Sequence, residues 1–208
     1  MLPKGDARLI QILDAALADT ARRSGDWLVC KPGCTPCCVG VFPIHQLDAA
    51  RLQQGLEELT TSDPERARAV RERARSSVGR LSQGFPGDPT TGLLDTSDEA
   101  EARFEDFAND EPCAALDPAT GLCDLYQARP MTCRVFGPPV RSGQNAEAGL
   151  GVCELCYHGA TEEQIAACEM AFDPEGLEDT LLKEFEQSSG REGRTLVAFA
   201  LATGTIKS

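Results

Sequence analysis

The sequence predicts a small, mostly α-helical protein in which loops between helices carry the cysteines, with at most a short β-hairpin. Two observations lead to this prediction. Apolar residues recur at three- and four-residue intervals in several segments, whereas the alternation typical of strands is scarce. The cysteines lie mainly in stretches rich in proline and glycine, which interrupt regular structure. We expect residues 1–208 to form a single domain, in which helices extend from both ends of a cysteine-bearing core over residues 30–156.

Three helices are expected in the first 81 residues. The first covers residues 6–23, with Asp6 as its cap and one apolar stripe formed by Leu9, Ile10, Leu13, Ala16 and Leu17. The second covers residues 43–59, because Pro43 suits the first turn of a helix. The third follows a cap at Ser62 or Asp63 and ends near residue 81. Its alternating Glu and Arg residues favour a solvent-exposed helix with modest pairing between residues four apart.

The second half of the chain is expected to contain shorter elements. Turn residues predict a short hairpin around Cys123, and Arg129-Pro130 predicts a short helix after it. The remaining elements are expected in this order: a loop over 84–92, an acidic helix over 97–107, a connection over 137–151, and helices over 161–172, 173–185 and 193–202. The acidic helix carries Glu99, Glu101, Glu105 and Asp106. They could form a metal-entry or partner surface, but a solvated face is the commoner reason for such a pattern.

Composition and charge narrow the functional class. The chain has ten cysteines and a formal net charge of −13. Nucleic acids and anionic membrane surfaces attract clustered Lys and Arg, so neither is an expected partner. A signal-peptide pattern and an apolar run of membrane-spanning length are both missing, which predicts a soluble, cytoplasmic protein. In a reducing cytosol, dense cysteines favour metal ligands or catalytic thiols, and disulfides become the alternative if the chain is exported.

The spacing of the cysteines favours metal ligation. A proline- and glycine-rich loop carries four thiols within nine residues: Cys30, Cys34, Cys37 and Cys38. Tight turns of this kind can direct several thiolates at one ion. Adjacent side chains in extended backbone point apart, so Cys37 and Cys38 favour two metals or two positions of a multinuclear centre. A second set follows at Cys113, Cys123, Cys133, Cys153 and Cys156. Eight thiols suffice for two four-thiolate sites or for one larger cluster.

Four motifs occur in a characteristic order between residues 30 and 156. They are Cys30-x3-Cys34-x2-Cys37-Cys38, Pro112-Cys113-x-x-Leu116, Gly121-x-Cys123-x-Leu125-Tyr126 and Arg129-Pro130-x-x-Cys133-Arg134-x-Phe136. Together they resemble the YkgJ-type cysteine-cluster family, which is described as zinc- or iron-chelating. Proteins of this type are often labelled iron–sulfur oxidoreductases, and related domains occur in flagellin lysine methylases. The first gap has three residues here, where two are common in the family.

The resemblance implies eight ligand-type cysteines. Seven carry over directly: Cys30, Cys34, Cys37, Cys38, Cys113, Cys123 and Cys133. The eighth is Cys153 or Cys156, and we favour Cys153 because it directly follows the glycine-rich linker. The implied function is metal binding, with zinc or an iron–sulfur cluster as the cofactor. An iron–sulfur oxidoreductase or a methyl-transfer enzyme is the alternative. A protein partner is conceivable, but the sequence identifies none.

Several neighbours of the cysteines are candidates for supporting roles. Arg129 and Arg134 could offset the negative charge of thiolates, although a capping arginine on an exposed turn explains either one as well. Tyr126 could donate a hydrogen bond to sulfur, and Leu125 and Phe136 could exclude water.

The remaining candidate residues have ordinary explanations. His45 and His158 lie near cysteines, but each is more simply explained as a polar surface residue. Cys168 lies on an apolar helical face and is expected in the core. Trp27 is expected to pack beside the cysteine loop.

Overall fold

The helices of the protein confirm the mostly α-helical class. The structure is a computed structural model that describes residues 1–141, 150–171, 173 and 175–203. Within these residues the helices are α1 (Asp6–Ser24), α2 (Gln46–Ser62), α3 (Pro64–Leu81), α4 (Asp98–Glu105), α5 (Met131–Val135), α6 (Glu162–Ala167), α7 (Leu177–Ser189) and α8 (Val197–Ala202). None of these helices is both long enough and apolar enough to cross a membrane.

The strands in the described residues are two residues long and pair antiparallel. They are β1 (Ile44–His45) with β6 (Arg194–Thr195), β2 (Gly87–Asp88) with β3 (Leu93–Leu94), and β4 (Val140–Arg141) with β5 (Leu150–Gly151). Short 3-10 turns cover Gly25–Trp27, Pro36–Cys38 and Tyr126–Ala128. The sheets are therefore minor features beside the helices.

The chain forms two compact units. Unit 1 comprises Met1–Leu2, Pro32–Pro130 and Phe185–Ser208, and unit 2 comprises Pro3–Lys31 and Met131–Glu184. The predicted ligands divide between them: Cys34, Cys37, Cys38, Cys113 and Cys123 belong to unit 1, whereas Cys30, Cys133 and Cys153 belong to unit 2. The single domain over residues 1–208 and its core over 30–156 stay predictions.

The core of unit 1 lies among α2, α3 and α8. Leu52 and Val70 are buried at its centre, and the ring of Phe199 from α8 lies 4.7 Å from that of Phe85. Gly92 lies so close to the ring of Phe199 that a Cβ atom on it would be 2.5 Å from that ring, and its φ of +73° also suits glycine. Removal of this apolar surface from water is the main source of stability for such a helical core.

Unit 2 contains α1, α5 and α6. Leu9 and Leu13 of α1 are buried, and α1 packs against α5. At the end of α1, the buried Ser24 hydroxyl shares a hydrogen bond with the hydroxyl of Tyr157. A second apolar cluster contains Cys156, Tyr157 and Cys168. The prediction that Cys168 is a core residue is therefore confirmed.

Local signals placed α3 correctly, whereas two other helices were predicted too early because short strands occupy their expected starts. Asp63 caps α3 by accepting a hydrogen bond from the Arg66 amide at 3.1 Å. The predicted start of a helix at Pro43 is wrong, because β1 precedes α2 and pairs with β6. The helix predicted from residue 193 begins at Val197 for the same reason.

Four further details differ from the predictions. The loop expected over 84–92 contains β2, and the acidic helix ends at Glu105 rather than 107. The helix expected over 161–172 ends at Ala167, and the one expected from residue 173 begins at Leu177. Residues 172 and 174, and residues 142–149 of the expected connection over 137–151, lie outside the described part of the chain.

Candidate metal centre

In unit 1, backbone pairing brings the first cysteine loop to Cys113. Cys37 and Cys38 end the 3-10 turn Pro36–Cys38. The Cys113 amide then donates to the carbonyl oxygen of Cys38 at 2.8 Å, and the Gly40 amide donates to that of Glu111 at 2.9 Å. This short antiparallel pairing, centred on Val39 and Pro112, makes residues far apart in sequence neighbours.

A hairpin then returns the chain to the same place with Cys123. Leu116 lies opposite Cys123, and the Asp124 amide donates to the carbonyl oxygen of Ala115 at 2.8 Å. At the tip, Gly121 has a φ of +70°, and a Cβ atom there would lie 3.5 Å from Cγ2 of Thr35. The tip therefore contacts the first cysteine loop. The predicted hairpin around Cys123 is confirmed.

Three arginines of α3 hold this second cysteine segment. Arg66 and Arg73 both form ion pairs with the carboxylate of Asp124, and Arg80 forms a bidentate pair with Glu111 at 2.7 and 3.0 Å. These pairs with distant residues come in addition to the modest pairing between residues four apart that the sequence predicted for α3. An exposed contact of that kind does exist, between Arg68 and Glu72 at 3.9 Å.

None of these five residues was a candidate in the sequence. For the three arginines, the sequence does contain a signal, which is the regular spacing of Arg66, Arg73 and Arg80. Seven residues are close to two helical turns, so the three side chains share one face of α3.

The thiols of unit 1 differ in pKa because their surroundings differ. A hydrogen bond with the Cys38 side chain lowers the pKa of Cys37 to about 6. Burial raises the pKa of Cys113, although backbone hydrogen bonds from Ala115 and Leu116 act in the opposite direction. Burial likewise raises the pKa of Cys123 to about 11. Backbone amides that donate hydrogen bonds to these sulfurs stabilise their negative charge once a cation has displaced the protons.

In unit 2, Cys30, Cys153 and Cys156 share one neighbourhood. A Cβ atom on Gly137 would lie 3.5 Å from the sulfur of Cys30, and the Cys153 amide donates to the Gly137 carbonyl oxygen at 3.3 Å. The Cys156 amide donates to the carbonyl oxygen of Cys153 at 2.8 Å, and their side chains are hydrogen-bonded. Burial raises the pKa of Cys156, while backbone hydrogen bonds from Val29 and Cys30 lower it. Cys153 and Cys156, the two candidates for the eighth ligand, are therefore direct neighbours in the structure.

The two arginines singled out in the sequence are both buried. The side chain of Arg134 is 2% exposed and pairs with Asp14 at 3.1 Å, in unit 2. In unit 1, Arg129 lies 3.9 Å above the ring centre of Tyr126 and donates to the Tyr126 carbonyl oxygen at 2.8 Å. Its positive charge also acts to lower the pKa of Cys123. Neither arginine is an exposed turn cap.

Some of the other residues expected to support the site lie as predicted, and others do not. Leu125 is buried as expected, whereas Phe136, expected to exclude water, is itself 47% exposed. Trp27 packs in the cluster of Cys156, with its ring centre 6.4 Å from that of Tyr157. His45 and His158 are exposed, as befits polar surface residues. Of the acidic helix α4, Glu101 pairs with Arg194 at 3.1 Å.

The cysteines of each unit approach one another without forming a closed ligand shell. Across the described residues, no three or more His, Cys, Asp and Glu side chains are already placed to hold one metal ion. The described thiols do meet as pairs, Cys37 with Cys38 and Cys153 with Cys156. None of the ten cysteines, all of which lie in the described residues, forms a disulfide. Soft, paired sulfurs with backbone donors suit zinc or iron chemically.

Comparison with known proteins agrees with this chemistry. A family model described as "Putative zinc- or iron-chelating domain", CxxCxxCC, matches residues 29–157, which is more than half of the chain. No curated protein and no solved structure matches the chain. The matched span begins one residue before the first cysteine and ends one residue after Cys156. The protein binds metal, and its chain belongs to the CxxCxxCC family of zinc- or iron-chelating domains.

Proposed function

We propose that the protein is a metal-chelating module that holds zinc or an iron–sulfur centre through cysteine thiolates. The ligands are the seven cysteines of the motifs together with Cys153: Cys30, Cys34, Cys37, Cys38, Cys113, Cys123, Cys133 and Cys153. Cys156 adds a further thiol beside Cys153. Each unit then has its own set, with five of these thiols in unit 1 and four in unit 2. A zinc ion bound by thiolates needs four, so each set can complete one tetrahedral site.

The observation that carries this proposal is the convergence of separate chain segments on the thiols of unit 1. Two sets of backbone hydrogen bonds, at Cys38 and at the hairpin, bring Cys113 and Cys123 to the first loop. A buried thiol packs like a small apolar group, whereas a buried thiolate costs free energy unless it gains partners. A cation that binds the deprotonated sulfurs supplies such partners, and it must displace the protons that the raised pKa values of Cys113 and Cys123 retain.

Binding would also require the thiol pairs to turn toward the ion, since the described side chains do not yet enclose one. A large part of the binding free energy is then coupled to local folding, as in other small cysteine-rich metal domains. This coupling favours a structural or metal-handling role. The oxidoreductase and methyl-transfer alternatives would need an iron–sulfur centre, which the same thiolates could hold.

Elemental analysis of protein purified without oxygen tests the proposal. We expect about two zinc ions per chain, one for each set. Iron with acid-labile sulfide and visible charge-transfer absorption would instead identify the iron–sulfur version. Cys113→Ser and Cys133→Ser should each lower the metal content of one set, whereas Cys168→Ala, a matched core variant, should leave it unchanged.

Two results would contradict metal chelation. One is a protein without bound metal that also fails to bind added zinc or iron. The other is a large deficit of free thiols after denaturation without reductant, which would show that the cysteines form disulfides instead.

A further inference from the structure

Arg73 of α3 connects the residues that follow two predicted ligands. Its Nε donates to the carbonyl oxygen of Ala114 at 3.0 Å, and its Nη2 pairs with the carboxylate of Asp124. Ala114 directly follows Cys113, and Asp124 directly follows Cys123. A single planar guanidinium therefore contacts both strands of the hairpin, one residue beyond each thiol.

The partner of this guanidinium is strongly constrained. The side chain of Asp124 is 2% exposed and pairs with Arg66 as well as with Arg73. Its backbone amide also donates to Ala115, across the hairpin. A buried carboxylate loses its hydration, and two charge-assisted contacts compensate for that loss. Removing Arg73 would leave Asp124 with Arg66 as its cation, and removing the carboxylate would remove the anion that both arginines share.

We propose that Arg73 and Asp124 are positioning residues that set the separation of Cys113 and Cys123 for metal binding. The proposal rests on the function proposed above and assigns a further task within it. The two residues do not touch the metal. They hold the backbone at both ligands, so that less conformational freedom is lost when the thiolates bind an ion.

Zinc competition against a chromogenic chelator, with reduced protein under anaerobic conditions, tests this role. Partners that orient metal ligands typically contribute about 10–100-fold to affinity, so Arg73→Gln and Asp124→Asn should each weaken zinc binding by about that factor. Because the pair acts as one unit, the double variant should bind little worse than either single variant. Arg73→Lys should recover part of the affinity, since it keeps the charge but not the fork.

Two controls separate positioning from a general loss of structure. Arg68→Gln changes an arginine of the same helix that is 70% exposed, and it should leave the affinity unchanged. Far-UV circular dichroism should show that every variant retains its helices. Equal zinc affinity in Arg73→Gln, Asp124→Asn and Arg68→Gln, or additive losses in the double variant, would overturn the proposal.

A metal-free measurement keeps this inference distinct from the proposed function. Phenylarsine oxide bridges two adjacent thiols with loss of one water, and mass spectrometry of peptides locates the bridge. We expect rapid bridging of Cys113 and Cys123 in the unaltered protein and slower bridging in Asp124→Asn. A protein that binds neither zinc nor iron would refute the proposed function. Unchanged bridging in Asp124→Asn would refute the positioning role, whether or not the protein binds metal.

Discussion

Replacing Glu111 by glutamine should destabilise the protein in a pH-dependent way. The carboxylate is 10% exposed and accepts two hydrogen bonds from Arg80, at 2.7 and 3.0 Å. Charge-assisted hydrogen bonds contribute about 1.5–3 kcal/mol when buried. The Arg80 side chain is 55% exposed, so solvent screening reduces that contribution, and we expect Glu111→Gln to cost about 1–2 kcal/mol at neutral pH.

The pH dependence follows from the direction of the pKa shift. Hydrogen bonding from Arg80 holds the pKa of Glu111 below its ordinary value of 4.5. The folded state therefore binds this proton more weakly than the unfolded state does. The stabilisation is fully present above the ordinary pKa and is lost as the pH falls through the lower, folded value.

Urea unfolding of the reduced, chelator-treated protein, followed by far-UV circular dichroism from pH 7.5 to pH 3.5, measures this effect. The stability difference between Glu111→Gln and the unaltered protein should shrink toward acid pH. Glu72→Gln is the matched control, because its contact with Arg68 is exposed and should contribute less than about 0.5 kcal/mol. A difference that is zero at pH 7.5, or constant across the series, would refute the reasoning.

Of three further predictions, two concern the core of unit 1 and one concerns the thiol of Cys168. Gly92→Ala should lower the unfolding free energy by about 1–3 kcal/mol in urea titrations, because the new Cβ would meet the ring of Phe199 at 2.5 Å and the backbone φ is +73°; an unchanged midpoint would contradict this contact. Leu52→Ala should cost about 2–5 kcal/mol in the same assay, since the side chain is fully buried, and a loss under 1 kcal/mol would contradict its place in the core. Cys168→Ala should leave zinc affinity in chelator competition unchanged, and a tenfold loss would show that the thiol is a ligand.

The elements that the sequence predicted well have local causes. Asp63 and Pro64 mark the start of α3 through their own backbone and side-chain chemistry, without help from distant residues. By contrast, Pro43 predicted a helix too early because Ile44 pairs with Thr195, from the other end of the chain. A strand of two residues is too short to show a periodic pattern, and its partner lies at the other end of the chain. The two-residue strands could therefore not be predicted.

The candidate site shows the same division. The spacing of Cys37 and Cys38 after Cys34 was sufficient to predict a thiol-rich loop, and turn residues predicted the hairpin around Cys123. The carboxylate that anchors this hairpin, Asp124, could not be recognised, because burial of a single aspartate depends on arginines contributed by α3. The neighbourhood of Cys30 likewise depends on Gly137, far along the chain.

The seven-residue interval of the arginines on α3 constrains the length of that helix. Seven residues fall about 20° short of two full turns, so Arg66 and Arg80 diverge by about 40° around the axis, which long side chains can absorb. Inserting one residue between Arg66 and Arg73 would rotate one of them by about 100° relative to the other and shift it by about 1.5 Å. Asp124 could then no longer meet both cations. Single-residue insertions and deletions between these arginines should therefore be poorly tolerated, because they change the direction in which α3 presents its side chains to the cysteine-bearing hairpin.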